Sequence, residues 1–331
     1  MLELILLLLL SILIVFISAL LFVNAIEFLG SQYKIGGAFV GSILSPLFTS
    51  LPELIVLIIA VFGLGGVSGE AVGVGTIFGE PLMASSLSYG LVGMLAFVGH
   101  SLKRREHKNL QVDNSLAVPF IFVTILFPLT LIPSLLNSGV VRVLFGLGFL
   151  GAYFGYLVLM YRRKNLGQIE NAKTPYVCKI IPPKRIGAFI QLIVSVVVLY
   201  FGASAMVSVV NQLALGLGLS VMGLAIIVVP AATAVPETAS ALIWGFRGQD
   251  TLSIASLVGE KVLYTTLFPG IGLLVTSWVL DIHAYLSVLA TTTISFVMLF
   301  FILKKRIPWY ALTFGFLFFV AYAVIVFWLR I

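Results

Sequence analysis

The chain has 331 residues, of which 61% are hydrophobic and only 9% are charged, whereas a soluble domain carries about 25% charged residues. This composition excludes an ordinary water-soluble enzyme, and so much apolar sequence also excludes a disordered chain. The net charge of +7 at pH 7 raises the question of nucleic acid binding, which the placement of the basic residues decides. What remains is a protein that crosses a membrane several times.

A helix needs about 20 consecutive apolar residues to cross the bilayer, and the chain contains ten such segments. They lie at about 2–26, 36–63, 69–99, 115–136, 138–161, 186–209, 213–245, 251–280, 283–303 and 308–329. The first segment lacks the basic residues that precede the apolar core of a signal peptide, so we expect it to remain in the mature protein. The sequence thus predicts an all-α membrane protein with ten transmembrane helices.

The basic residues fall almost entirely on one side of this arrangement. Of the 19 lysines and arginines, only Arg142, Lys261 and Arg330 lie outside the loops that follow the odd-numbered spans. Because loops rich in lysine and arginine stay in the cytoplasm, these loops are predicted to be cytoplasmic and both termini to lie outside. The basic clusters then act as topology signals and contacts with membrane lipid. We expect no nucleic acid partner, and the sequence indicates no particular protein partner.

A nine-residue pattern with two prolines and a glutamate occurs twice. Residues 45–53 read Ser-Pro-Leu-Phe-Thr-Ser-Leu-Pro-Glu, and residues 229–237 read Val-Pro-Ala-Ala-Thr-Ala-Val-Pro-Glu. The positions shared at an offset of 184 are Pro46, Thr49, Pro52 and Glu53 with Pro230, Thr233, Pro236 and Glu237. In the next span of each half, Gly79-Glu80 is matched by Gly259-Glu260. We interpret these matches as an internal repeat.

The repeat divides the chain into two five-span halves, 1–161 and 186–331, which are joined by a cytoplasmic linker at 162–185. Because five is an odd number, the second half begins on the opposite side of the membrane from the first and runs in the inverted orientation. Inverted repeats of this kind share a binding site near the middle of the bilayer. We therefore predict two inverted five-helix repeats with one site between them.

Four glutamates lie inside the apolar spans: Glu53, Glu80, Glu237 and Glu260. A charge at the bilayer centre costs at least about 2.5–3.5 kcal/mol on insertion scales, so these carboxyl groups must be protonated, paired or bound to a cation. The paired prolines break the helical hydrogen-bond ladder and free carbonyl oxygens near Pro46 and Pro230. The hydroxyls of Thr49, Ser50 and Thr233 lie one turn before a glutamate. Carboxylate, hydroxyl and carbonyl oxygens together are ligands of hard cations such as Ca²⁺ or Na⁺.

The segments 49–53 and 233–237 resemble the α-repeats of the cation/Ca²⁺ exchanger superfamily, which includes the sodium/calcium exchangers. The resemblance implies ten helices in inverted repeats, with ions bound between spans 2, 3, 7 and 8. It also implies that spans 1 and 6 move against this core to alternate access. By the same resemblance, the cation ligands are the two motif glutamates, the hydroxyl residues beside them and the carbonyls of the leading prolines: Glu53, Glu237, Thr49, Ser50, Thr233, Pro46 and Pro230.

The following helix in each half departs from the superfamily pattern. Where the family has Gly-Ser-Asn, this chain has Gly79-Glu80-Pro81 and Gly259-Glu260-Lys261. Some oxygen ligands of the family's sodium sites are therefore absent, whereas two carboxylates, Glu80 and Glu260, are gained as further candidate ligands. Because crowded carboxyl groups cannot all stay ionised without cations, this change favours H⁺ as the counter-ion, with Na⁺ as the alternative.

Lys261 follows Glu260 directly and has two interpretations. It is either a fixed internal cation that lowers the charge of the site, or it faces elsewhere on the helix and extends its amine to the membrane surface. The small hydroxyl residues near the two gained glutamates are expected to hydrogen-bond backbone carbonyls: Ser85, Ser86, Thr265 and Thr266.

The sequence therefore predicts a secondary antiporter that exchanges Ca²⁺ or a related divalent cation against H⁺ or Na⁺, without a cofactor. A cation channel is the alternative, because inverted repeats with broken helices also occur in channels, and coupling to an opposing gradient distinguishes the two. An intramembrane enzyme is a weaker alternative, since Asp113, Asp250 and Asp281 all fall in loops or at span ends.

Overall fold

The computed structural model of the chain describes residues 1–32, 47, 50–162, 174–179, 181 and 183–329. Within these ranges the protein is almost entirely helical. The helices before the linker are α1 (Leu2–Gln32), α2 (Leu51–Ile58), α3 (Gly66–Met83), α4 (Tyr89–Ser101), α5 (Ala117–Leu129), α6 (Ile132–Leu136) and α7 (Gly139–Arg162). Those after it are α8 (Lys184–Leu217), α9 (Val221–Thr233), α10 (Val235–Phe246), α11 (Asp250–Thr265), α12 (Leu267–Val275), α13 (Ile282–Leu303), α14 (Trp309–Thr313) and α15 (Gly315–Val324).

Shorter elements complete the described structure. Turns of π-helix extend α2, join α3 to α4 and extend α15, at Ile59–Leu64, Ala84–Ser88 and Ile325–Leu329. Single 3₁₀ turns lie at Asn114–Leu116 and Tyr176–Lys179. Two short strands, β1 (Leu110–Gln111) and β2 (Arg306–Ile307), pair antiparallel.

Within the described residues, eight helical segments are long and apolar enough to cross a membrane: Leu2–Ile26, Gly66–Ser101, Asn114–Leu136, Gly139–Met160, Lys184–Leu217, Asp250–Val275, Ile282–Leu303 and Trp309–Leu329. A ninth is present if α9 and the bent continuation Thr238–Phe246, at 62° to it, are counted as one span. Of the second predicted span, the apolar helix Leu51–Leu64 is described and most of the remainder lies outside the described residues. The described part of the chain thus holds eight or nine of the ten predicted spans.

The predicted span at 115–136 is one crossing made of two helices. Pro128 lies in the last turn of α5 and Pro133 in the first turn of α6. Proline has no amide hydrogen to donate and crowds a carbonyl one turn earlier, so the helix cannot run through both. The Trp278 indole N–H donates to the Thr130 carbonyl at the break, at 2.9 Å, which supplies a partner for a backbone group that the break exposes.

Three loops meet where α4 ends, which we call the α4 end of the protein. Arg105, in the loop after α4, forms a buried ion pair with Asp250 at the start of α11, at 2.9 Å. The backbone N–H of Gln111 donates to the same carboxylate at 2.7 Å. The β1–β2 pairing brings the loop before α14 to the same place. All three loops belong to the basic set defined in the sequence, so the structure gathers them at one end.

Other loops meet at the start of α3, which we call the α3 end. The backbone N–H of Ser277, between α12 and α13, donates to the carboxylate of Glu70 on α3 at 2.8 Å. Ser220, between α8 and α9, donates to Asp281 in the same α12–α13 connection. These loops follow even-numbered spans of the predicted arrangement. The two sets of loops therefore lie at opposite ends of the continuous helical segment that α3 and α4 form.

The hairpins that carry the repeated glutamates turn at opposite ends as well. α2 and α3 are joined at Gly65 and Gly66, which have φ angles of 67° and 60°, at the α3 end. α10 and α11 are joined through Gly248, with φ of 78°, which lies beside Arg105 at the α4 end. Glycine adopts positive φ without the clash that a Cβ atom causes. Matched hairpins that turn in opposite directions are what inverted repeats produce.

α3 of the first half packs closely against α9 of the second half. A Cβ atom on Gly79 would lie 2.5 Å from the Ile226 carbonyl oxygen and 2.6 Å from Cγ of Pro230. A Cβ atom on Gly75, one turn earlier, would lie 2.8 Å from Cβ of Ala225. Two glycines four residues apart thus let the helix backbones approach in a way that larger residues prevent.

α1 and α8 form a long pair along their lengths. The buried amide group of Gln191 on α8 donates to the Leu21 carbonyl at 2.9 Å and to the side-chain oxygen of Asn24 at 3.0 Å. Buried amide groups are costly unless they are hydrogen-bonded, so these bonds favour one fixed register between the two helices.

Candidate cation-binding site

The second copy of the motif lies at a helix break. α9 ends at Thr233, and α10 begins at Val235 with Pro236 in its first turn. An N-terminal position suits proline because the first amide hydrogens of a helix have no intrahelical partner. The buried hydroxyl of Thr233 donates to the carbonyl of Val229 at 3.0 Å. The break that the prolines predict is therefore present, and it places a hydroxyl at the interruption.

The first copy of the motif starts α2. Ser50 precedes the helix, and Pro52 lies in its first turn. Ser50 and Glu53 are both 4% exposed, and Oε2 of Glu53 is buried with no hydrogen-bond partner among the described residues. A buried carboxylate oxygen without a partner is strongly disfavoured. Glu53 is therefore a group that requires a proton or a bound cation.

The two copies of the motif approach each other across the halves. The Thr233 hydroxyl lies near enough to the Glu53 carboxyl group to interact with it. Pro46 and Thr49 lie outside the described residues, and for Glu237 the structure describes the backbone within α10 but not the side chain. The approach of Glu237 to Glu53 stays a prediction.

The two gained glutamates are buried on helices that pack against each other. Glu80 on α3 is 3% exposed and Glu260 on α11 is 5% exposed, and α3 contacts α11. Both side chains have interaction partners. Among the described side chains, which exclude that of Glu237, no group of three carboxylate, histidine or cysteine residues could hold a metal ion.

Lys261 is completely buried, so its amine does not extend to the membrane surface, and that interpretation is wrong. Its Nζ donates to Oγ of Ser85 at 3.0 Å and to Oγ of Ser295 at 3.1 Å. It also lies 4.6 Å from the ring centroid of Tyr89 and 5.0 Å from that of Phe120. Among the described residues it forms no salt bridge with a carboxylate. The amine is an internal group with its own polar and aromatic surroundings.

Three of the four small hydroxyl residues near the gained glutamates behave as expected. They donate to backbone carbonyls of the preceding turn: Ser86 to Leu82, and Thr265 and Thr266 to Val262. Ser85 differs because it accepts a hydrogen bond from Lys261.

Nothing in the sequence pattern indicates a further polar contact between the halves. Ser88, in the π-helical turn before α4, and Thr238, in α10, hydrogen-bond through their hydroxyls at 2.8 Å. Thr238 follows Glu237 directly, so this contact ties the second motif to α4. This contact could not be predicted, because serine and threonine residues are common in apolar spans and nothing in the sequence distinguishes these two.

The sequence matches the family described as sodium/calcium exchanger protein over residues 3–162 and 187–330. The chain therefore belongs to this family, whose members are transporters and not enzymes. A curated relative, the putative antiporter CaxA of Alkalimonas amylolytica, is 25% identical over 138 residues. That match spans 41% of this chain and 43% of the relative, which is less than half of either protein.

Several solved structures share the fold. The H⁺/Ca²⁺ exchanger CAX superposes with a TM-score of 0.76 at 19% identity, covering 97% of this chain and 82% of the other. YfkE superposes with a TM-score of 0.68 at 16% identity, covering 95% of this chain and 89% of the other. The sodium-calcium exchanger NCX_Mj superposes with a TM-score of 0.57 at 17% identity, covering 98% of this chain and 97% of the other. These likenesses and the family match identify an integral, multi-pass membrane protein with the exchanger fold.

Proposed function

We propose that this exchanger carries Ca²⁺, or a related divalent cation, against H⁺ or Na⁺ by alternating access. The observation that carries the proposal is the buried carboxyl group of Glu53. One of its oxygens has no hydrogen-bond partner among the described residues, and the group lies beside the Thr233 hydroxyl of the other half. A carboxylate at the contact between two halves is well placed to bind a cation that both halves must release together.

The proposed ligands supply oxygen atoms from both halves: Glu53, Glu237, Thr49, Ser50, Thr233, Glu80, Glu260 and the carbonyls of Pro46 and Pro230. Ca²⁺ takes six to eight oxygen ligands at about 2.3–2.6 Å, so carboxylates alone do not complete its shell. The burial of Glu53, Glu80 and Glu260 supports this set, because their side chains lie inside the protein and not toward lipid.

Alternating access requires one part of the protein to move against another. The glycine contact between α3 and α9 favours a core that stays together, whereas α1 and α8 form a separate pair held by Gln191. The opposed hairpin turns at Gly66 and Gly248 support the inverted arrangement of two five-helix repeats. We propose that the α1–α8 pair moves across the core and exposes the site to each side in turn.

H⁺ is the favoured counter-ion. When Ca²⁺ leaves, the buried carboxylates need another positive charge, because an uncompensated charge in the membrane is costly. A carboxyl group binds a proton directly, and Glu80 and Glu260 add one such group to each half. Na⁺ is the second candidate, because it requires the same oxygen ligands without protonation.

In proteoliposomes with an acidic interior and no Na⁺, we expect Ca²⁺ uptake that follows the pH gradient and stops when an ionophore collapses it. The double substitution Glu80→Ser and Glu260→Ser should weaken this pH dependence, and Glu106→Ser in the exposed loop after α4 is the matched control. Uptake that requires Na⁺ and ignores pH would assign Na⁺ as the counter-ion. Flux that follows only the Ca²⁺ gradient would indicate a channel.

We propose that the α4 end faces the cytoplasm and that both termini lie outside, as the basic loops suggest. In a Cys178→Ser background, a membrane-impermeant maleimide should label Val279→Cys, at the α3 end, on intact cells. It should label Glu106→Cys, at the α4 end, only after lysis. Both positions are exposed, so access to the membrane side decides the labelling. The reverse pattern would invert the assigned orientation.

A further inference from the structure

Four separate parts of the fold enclose the amine of Lys261. Ser85 comes from the π-helical turn after α3, Tyr89 from α4, Phe120 from α5 and Ser295 from α13. All five side chains belong to residues with 0% exposure. The amine is thus fixed in a closed compartment that both halves of the chain build.

The chemistry of this compartment suits a monovalent cation. Two hydroxyl oxygens can accept hydrogen bonds from an ammonium group or coordinate a metal ion. The faces of Tyr89 and Phe120 carry the negative part of the ring quadrupole and attract positive charge. Among the described residues no carboxylate pairs with the amine. A shell of neutral oxygens and ring faces favours one positive charge over two.

The compartment adjoins the proposed transport site along two helices. Lys261 follows Glu260 on α11, and Ser85 lies just over one turn after Glu80 on α3. A positive charge held here lowers the number of mobile cations that the carboxylates need for neutrality, because charges interact strongly where water is excluded.

We propose that Lys261 is a tethered cation, whose ammonium group fills a monovalent-cation site between Ser85 and Ser295 and keeps Na⁺ or K⁺ out of it. The consequence for ion selectivity rests on the proposed exchange function, whereas the site itself does not. Removal of the amine should open the site to a mobile cation. The residue would then determine how many monovalent ions accompany each cycle.

The direct test is equilibrium binding of radioactive Na⁺ and Rb⁺, the latter as a K⁺ probe, to the purified full chain without Ca²⁺. Lys261→Ser should bind one more monovalent ion per chain than the wild type. Adding Ser85→Ala and Ser295→Ala should weaken this extra binding by about tenfold or more, the equivalent of at least one lost hydrogen bond. Lys261→Met, which fills much of the space with an apolar chain, should not gain the ion.

Folding is checked for every variant by size-exclusion chromatography and thermal melting. A folded Lys261→Ser protein that binds no more Na⁺ or Rb⁺ than the wild type overturns the proposal. If Lys261→Ser is not recovered folded, it is purified with methylammonium, Na⁺ or K⁺ present. Recovery of folded protein with one of these cations supports the tethered cation, and failure with all three contradicts it.

Ca²⁺ exchange by the wild type is measured in the same preparations. Absence of that exchange would reject the proposed function, while the binding measurement still decides the role of Lys261. Normal wild-type exchange with no extra ion in the folded Lys261→Ser variant would reject only the tethered cation.

Discussion

Glu53→Gln is expected to reduce divalent-cation transport by about a hundredfold or more while the protein still folds. The substitution keeps the size of the side chain but removes its negative charge. Loss of one partner from a buried charge pair costs about 3–5 kcal/mol, and each 1.4 kcal/mol is a factor of ten in binding. The fold should hold because the wild-type carboxyl group already has a buried oxygen without a hydrogen-bond partner among the described residues.

The measurement is Ca²⁺ uptake into proteoliposomes, together with the melting temperature of the purified protein. Glu106→Gln, in the exposed loop after α4, is the matched control and should transport normally. We expect the same loss for Glu237→Gln, since it occupies the equivalent position of the repeat. Normal exchange by folded Glu53→Gln protein would remove this residue from the ligand set.

Gly79→Leu is expected to abolish transport by disrupting the contact between the halves. Its Cβ atom alone would lie 2.5 Å from a backbone oxygen of α9 and 2.6 Å from Pro230. Overpacking of a well-packed interior typically costs about 1–3 kcal/mol, occasionally more. The clash involves main-chain atoms, which cannot rotate away. We therefore expect a destabilisation at the upper end of this range, or loss of folded protein.

Gly148→Leu on α7 is the matched control, because no atom of the described residues lies within 4 Å of a Cβ atom at that position. Folded yield and melting temperature should fall for Gly79→Leu and stay near the wild-type values for Gly148→Leu. Equal behaviour of the two variants would mean that the α3–α9 approach does not require glycine.

Much of the architecture could be predicted because the bilayer imposes one dominant rule. A span must be apolar over about 20 residues, and Ile282–Leu303 or Lys184–Leu217 satisfies this rule without reference to any other helix. Proline similarly marks the break at Pro236, because a missing amide hydrogen is a local property. The family membership could also be recognised, since the duplicated motif is specific.

The surroundings of Lys261 could not be predicted, because they depend on how distant helices are rotated. Its partners Ser85 and Ser295 lie 176 and 34 residues away along the chain. The π-helical turn at Ala84–Ser88 also shifts the faces of α4 relative to α3, which a regular 3.6-residue period does not reveal. The Arg105–Asp250 ion pair, between residues 145 apart in the chain, could not be predicted either. A basic residue in a loop indicates the side of the membrane on which the loop lies, but it does not indicate which acidic residue it pairs with.

The length of α8 has a consequence for the membrane around the protein. Its 34 residues extend about 51 Å at 1.5 Å per residue, whereas the hydrocarbon layer is only about 30 Å thick. α8 must therefore lean, or pass its ends through the headgroups, and α1 follows it because the two are packed together. The tilt of this pair therefore depends on the thickness of the bilayer, because a mismatch between helix length and hydrocarbon thickness costs free energy. A thinner bilayer would favour a larger tilt of α8, and under the proposed movement of the α1–α8 pair, bilayer thickness would then bias the position that the pair adopts.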